Sequence, residues 1–240
     1  MIMEFIDERI FRKLLLSFAL ALGVGCAGPT PPQEVRPAQI PMGDGAVSGS
    51  PPLIDIHSVA PEILVDLRYA SSRNLTRRNI YPPDMPCLMQ PSTAAKLRRA
   101  QLILAGQGFG LKVWDAWRPG EVQVALHDAY SKSHLFVDPR EAWSKHCAGM
   151  AVDVTLVDAT GRELRMPTDL DNSTSAASAY YNGRDSVVRE HLSLLQTAMQ
   201  AAGFVGIASE WWHFDDTDFD EAFPKPPIFA RDMGISLPGP

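Results

Sequence analysis

The chain has 240 residues, 45% of them hydrophobic and 21% charged, which is enough for one sizeable core and gives little reason to divide it. Its formal net charge of -6 argues against a nucleic-acid partner, because neutralising phosphates requires a basic surface. A small or peptide-like substrate is expected instead.

Residues 1–25 read as an export signal: Arg9, Arg12 and Lys13 precede an apolar run from Leu14 to Gly25. That run is shorter than the about 20 residues of a membrane-spanning helix. It closes in Leu22-Gly23-Val24-Gly25-Cys26, which resembles a bacterial lipoprotein processing site with Cys26 as the acylated residue. An unlipidated cysteine beside an ordinary cleavage site is the alternative. Either way the expected location is the periplasm or cell envelope, with membrane attachment only if Cys26 is lipidated. Residues 26–52, rich in Pro, Gly and small polar residues, read as a flexible linker, and residues 53–240 as the folded, catalytic part.

From Val59 to Ala70 the alternation of Ile63, Val65, Leu67 and Tyr69 predicts a strand, followed by an irregular loop over Arg73 to Met89. The spacing of Leu97, Ala100 and Leu104 predicts a helix over Pro91 to Gln107, capped by Ser92 or Thr93 and ended by Gly106 and Gly108. Leu111, Val113 and Asp115 alternate as a strand. It runs into Trp117-Arg118-Pro119, where proline forces a turn before a second helix from Glu121 to about Ser133. Arg118 thus sits at a strand end, where a side chain can be aimed into a cleft.

Met150 to Val157 reads as a strand, Gly161 as a hairpin turn, and Arg184 to Ala202 as a helix stopped by Gly203. Phe204 to His213 reads as a further strand. Cys87 and Cys147 are compatible with a disulfide in an oxidising compartment or with two buried thiols.

The chemistry concentrates in two short segments. His146 and Asp153 stand seven residues apart around Gly149, and Ser209-Glu210-Trp211-Trp212-His213-Phe214 adds a second histidine and carboxylate. His146, Asp153 and His213 form an N/N/O donor set suited to one catalytic zinc ion, which keeps a position open for water. Glu210 is left over as a general base, so the quartet points to metal-assisted hydrolysis. On a regular strand His146 and Asp153 would face opposite ways, so Gly149 must mark a turn or bulge. Glu210 and His213 carry the same parity conflict. Cys147 adjoins a ligand but is aimed away from the metal by its position, and Asp115 is either a plain turn carboxylate or the group that orients Arg118.

Together the motifs Asp66-Leu67-Arg68-Tyr69-Ala70, Asp115-x-Trp117-Arg118-Pro119, Ser144-x-His146-x-x-Gly149-x-Ala151-x-Asp153 and Glu210-Trp211-Trp212-His213 resemble the D-alanyl-D-alanine dipeptidases of the VanX type, over roughly Leu53 to Phe223. The resemblance implies an α+β fold with a central, mostly antiparallel sheet flanked by helices, shared with zinc D,D-carboxypeptidases and the hedgehog domain. It also implies zinc on His146, Asp153 and His213, Glu210 as base, Arg118 at the oxyanion, Ser144 near the substrate carboxylate, and Tyr69 and Asp171 at the substrate amine. The implied substrate is the small peptide D-alanyl-D-alanine, and the export signal favours a role in cell-wall peptide turnover or nutrient recovery. Where many members carry Ser-Arg, this chain has Cys147-Ala148, which leaves the pocket wall open. The alternatives are a D,D-carboxypeptidase or muropeptide peptidase of the same fold, and a non-catalytic zinc-containing lipoprotein that binds wall peptides. The intact Glu210 weighs against the last.

Overall fold

The computed structural model describes residues 53–222 and 224–239, so the expected signal peptide, the linker and Cys26 lie outside the described residues. The architecture is α+β. Its centre is the strand β5, Ala151–Asp158, buried along its length up to the half-buried Asp158. A strand covered on both faces must be apolar on both, and Val152, Val154 and Leu156 supply one side of that covering.

Four strands join β5 in one sheet: β2 (Leu64–Val65), β4 (Phe109–Asp115), β6 (Phe204–Ile207) and β7 (Glu210–Asp216). The order across the sheet is β2-β4-β5-β7-β6, with only the β2–β4 pair parallel. A separate antiparallel ribbon pairs β1 (Ile54–Asp55) with β3 (Leu88–Met89). Helix α1 (Pro91–Ala105) and helix α3 (Ser186–Ala202) share the hydrophobic core with β5 through Leu97, Leu104, Leu192, Leu195 and Met199. Helix α2 (Gly120–Tyr130) follows the turn at Pro119.

Three local readings change. The strand expected over Val59 to Ala70 is only Leu64–Val65, and Arg68–Ala70 forms a 3-10 turn. The alternation there reflects burial of Ile63 and Tyr69 from an irregular backbone rather than a pleat. Phe204 to His213 is a hairpin, not one strand, with the turn at Ala208 and Ser209. Helix α1 begins with Pro91 at its first position and no side-chain cap, because the Thr93 hydroxyl instead donates to Asp216 Oδ2 at 2.6 Å. By contrast α3 has the expected signals, with the Asp185 side chain accepting from Val187 and Val188 and Gly203 closing it at φ +101°.

Gly149 carries the largest local constraint. It ends the 3-10 turn Lys145–Ala148 in the left-handed region, φ +68°, and a Cβ there would lie 2.7 Å from Leu53 Cδ2. Its carbonyl also accepts from Gln90 N at 2.9 Å, tying the turn to the start of α1. Gly149→Ala should therefore lower stability by about 1–3 kcal/mol from backbone strain alone, read as a reduced midpoint in urea unfolding; an unchanged midpoint would contradict this account.

Candidate metal and catalytic site

Register places the site. In the β5–β7 pairing Asp153 lies opposite His213. His146 arrives from the 3-10 turn that Gly149 ends, so the turn resolves the parity conflict between His146 and Asp153. The conflict between Glu210 and His213 is resolved in the hairpin: Gly206 pairs with Phe214 but Ile207 pairs with Glu210, so the register slips between them. A third irregularity lies in β4. Val113 pairs with Val154 but Asp115 with Asp153, so Trp114 is an extra residue that moves Asp115 off the face of Leu111 and Val113.

The three donor atoms converge. His146 Nε2 is 3.1 Å from His213 Nδ1 and 3.3 Å from Asp153 Oδ1, and His213 Nδ1 is 3.0 Å from Asp153 Oδ1. The opposite ring nitrogens are committed. His146 Nδ1 donates to the Ala116 carbonyl at 2.7 Å, and His213 Nε2 donates to Asp215 Oδ1 at 2.9 Å. With those tautomers, two imidazole lone pairs and a carboxylate face one point, a donor set that fits a cation in an N/N/O site. All three residues are buried.

Hydrogen bonding and neighbouring charge outweigh burial at two of the three donors. Burial opposes charge on His213, but the hydrogen bonds to Asp153 and Asp215 outweigh it and raise the imidazole to about 10. Burial likewise works against the Asp153 carboxylate, yet His146 and His213 hold it well below the usual range.

Glu210 lies at the start of β7, 9% exposed, and lines the same cleft of about 540 Å³. Burial pushes its carboxyl up to about 7, with His213, Arg118 and His146 pulling down and Asp153 adding to the rise. Arg118 donates from Nε to Asp115 Oδ2 at 2.9 Å and from Nη1 to Gln123 Oε1 at 2.9 Å, and its Nη2 pairs with Asp115 Oδ2 at 2.8 Å. Nη2 is 3.6 Å from Asp153 Oδ2. Asp115 is thus the group that orients Arg118, itself fixed by the Tyr81 hydroxyl at 2.8 Å.

Ser144 and Asp171 both line the cleft. Ser144 caps the turn that carries His146, accepting from its backbone N–H. Asp171 stands in the left-handed region at φ +57°, and burial pushes its carboxyl up to about 6 against the pull of Arg118. Tyr69 is placed differently from the expectation: it is fully buried and absent from the cleft lining, and its hydroxyl donates to Asp171 at 3.0 Å. The 3-10 turn Arg68–Ala70 carries the ring into the interior, where it meets Asp171.

Cys87 and Cys147 are free, buried thiols. Burial pushes Cys147 up to about 12, and Cys147 and Ala148 are both buried and do not line the cleft. Trp211 and Trp212 are buried packing residues, Trp211 donating to Thr168 Oγ1 at 3.0 Å. Sequence reasoning missed Asp215, Gln123 and the Ala116 carbonyl. Asp215 had a signal in its two-residue offset from His213, which puts both on one strand face. His127 and His134, which had no motif context, also line the cleft.

Comparison with known proteins gives three findings. A family described as D-ala-D-ala dipeptidase matches residues 50–228. D-alanyl-D-alanine dipeptidases from Escherichia coli and Enterococcus faecalis are similar, the first 32% identical with 70% of this chain and 86% of the relative covered. The second is 25% identical, covering 66% and 87% respectively. Among solved structures, a mutant of the vancomycin-resistance D,D-pentapeptidase VanY in complex with Zn(II) matches at TM-score 0.34 and 16% identity, covering 60% of this chain and 85% of that one.

The convergent donors should bind one divalent ion per chain, and His213→Ala should reduce metal content after dialysis to background, measured by elemental analysis. Retention of a full equivalent by that variant would place the ion elsewhere.

Proposed function

Because the chain belongs to the D-ala-D-ala dipeptidase family of peptidases, we propose that it is a zinc-dependent enzyme hydrolysing free D-alanyl-D-alanine. The observation that carries this is the meeting of His146 Nε2, Asp153 Oδ1 and His213 Nδ1 beside Glu210 and Arg118 in one cleft. Those three atoms would hold the zinc, which when bound supplies Lewis acidity and lowers the pKa of water.

The remaining steps belong to the chain's own side chains. Glu210, poised near neutrality by burial, takes a proton from the attacking water and passes it to the leaving amine. Arg118, which lines the same cleft, offers its guanidinium to the oxyanion that develops on the scissile carbonyl. Since Asp115 and Gln123 already hold the guanidinium, little reorganisation is needed when charge appears. Asp171 takes the substrate ammonium and Ser144 lies toward its carboxylate. Tyr69 keeps the Asp171 carboxylate aimed, without touching substrate.

The export signal read in residues 1–25 supports a place in the cell envelope, with Cys26 as the lipid anchor, and hence a role in wall-peptide turnover. One observation favours a second reading. A cleft of about 540 Å³ lies inside the range of about 300–1,000 Å³ usual for drug-sized ligands, so a longer muropeptide would fit a carboxypeptidase of the same fold.

Turnover of free D-alanyl-D-alanine against a pentapeptide ending in D-alanyl-D-alanine separates the two: the expected result is cleavage of the dipeptide alone. Cleavage of the pentapeptide would move the assignment to carboxypeptidase, and cleavage of neither by zinc-loaded protein would sink both. Glu210→Gln should keep its zinc and lose about 10²–10⁴-fold in kcat, measured on whichever peptide is cleaved; near-normal turnover would remove Glu210 from the role of base.

A further inference from the structure

Lys145 has no part in the chemistry proposed above, yet it is wired to the metal site. It precedes His146 in the 3-10 turn, and its Nζ is 2.9 Å from Asp215 Oδ2 and 2.8 Å from Glu221 Oε1. The other oxygen of Asp215 accepts from His213 Nε2 at 2.9 Å. A continuous lysine–carboxylate–imidazole chain therefore ends on the ring nitrogen opposite the one that faces His146 and Asp153.

The backbone explains why these groups meet. Asp215 lies two residues beyond His213 on β7 and pairs with Ala151, so it shares a face with His213 and Asp153. Asp215 is 7% exposed, and a carboxylate so buried is costly unless it is paired. With Oδ2 held by the ammonium, Oδ1 stays directed at His213. Glu221 and the Phe219 ring, 5.3 Å from Nζ, hold the lysine from the other side.

We propose that Lys145 is a positioning residue that tightens metal binding: by fixing Asp215 it locks His213 with Nε2 protonated and Nδ1 free to ligate. The proposal rests on the metal-site reading above. Outer partners of a ligating histidine typically change metal affinity by about 10–100-fold, whereas an exposed ion pair contributes little. Glu221, with its side chain 74% exposed, belongs to the second kind.

The test is equilibrium competition for zinc between the protein and a fluorescent chelator, using the unmodified chain, Lys145→Met, Lys145→Arg and Glu221→Gln. Lys145→Met should weaken zinc binding by about tenfold or more, Lys145→Arg should recover most of that loss, and Glu221→Gln should change it by less than about fivefold. Circular dichroism of the metal-free proteins checks folding, and Lys145→Gln repeats the measurement should the methionine variant not fold. Unchanged zinc affinity in Lys145→Met, with or without a raised KM, overturns the proposal and makes Lys145 at most a substrate contact. If the unmodified chain binds no zinc, the metal-site reading itself fails and this proposal falls with it.

Discussion

Three acceptor atoms meeting at one point is the constraint on which the rest of the site depends. His146 Nε2, His213 Nδ1 and Asp153 Oδ1 stand 3.0–3.3 Å apart while the outer nitrogens of both rings are already donating. Lone pairs at that spacing repel unless something positive lies among them. A proton can join two of the three along one line, whereas a metal cation can satisfy all three at once.

Everything that aims those atoms is an irregularity in otherwise regular structure. Gly149 at positive φ brings His146 round, the slip between Gly206 and Ile207 presents Glu210, and the extra residue at Trp114 delivers Asp115 to Arg118. The sequence revealed the first two as parity conflicts, because a period of two makes an odd spacing between residues meant to meet self-contradictory. The β4 bulge was invisible: Leu111, Val113 and Asp115 alternate as they would in an unbroken strand, and only the pairing with β5 shows the shift. Tyr69 misled for a related reason, since burial from a 3-10 turn mimics a pleat and nothing local records its long-range bond to Asp171. The hairpin at Ala208 and Ser209 carries only Ser209, a weaker turn former, where Gly, Pro or Asn would have marked it plainly.

The cleft also concentrates buried charge. Arg118 and Asp115 are both nearly inaccessible, and burial opposes the guanidinium while Asp115, Tyr69, Tyr81 and Asp153 more than restore it, raising it well above its ordinary value. Removing two such charges from water costs several kcal/mol per ion, and a pair of apolar residues could fill the space at less expense. The arrangement therefore makes sense as preorganisation: the desolvation is met during folding, so that the dipoles need not reorganise when an oxyanion forms.

The two walls of the cleft differ in how they are held. Asp153, Glu210 and His213 lie on central strands, and Asp171 is pinned by the Tyr69 hydroxyl and the Leu75 backbone N–H. The opposite wall is a connecting stretch that includes Ser131, His134, Val137 and Glu141, with Val137 46% exposed and His134 at φ +57°. Cys147 and Ala148 are buried and do not line the cleft. Residues of the sheet and of this stretch therefore meet in one cleft, and the stretch is itself tied to the scaffold, since Phe136 belongs to the hydrophobic core and the Val137 carbonyl accepts from Gln123 Nε2 at 2.8 Å.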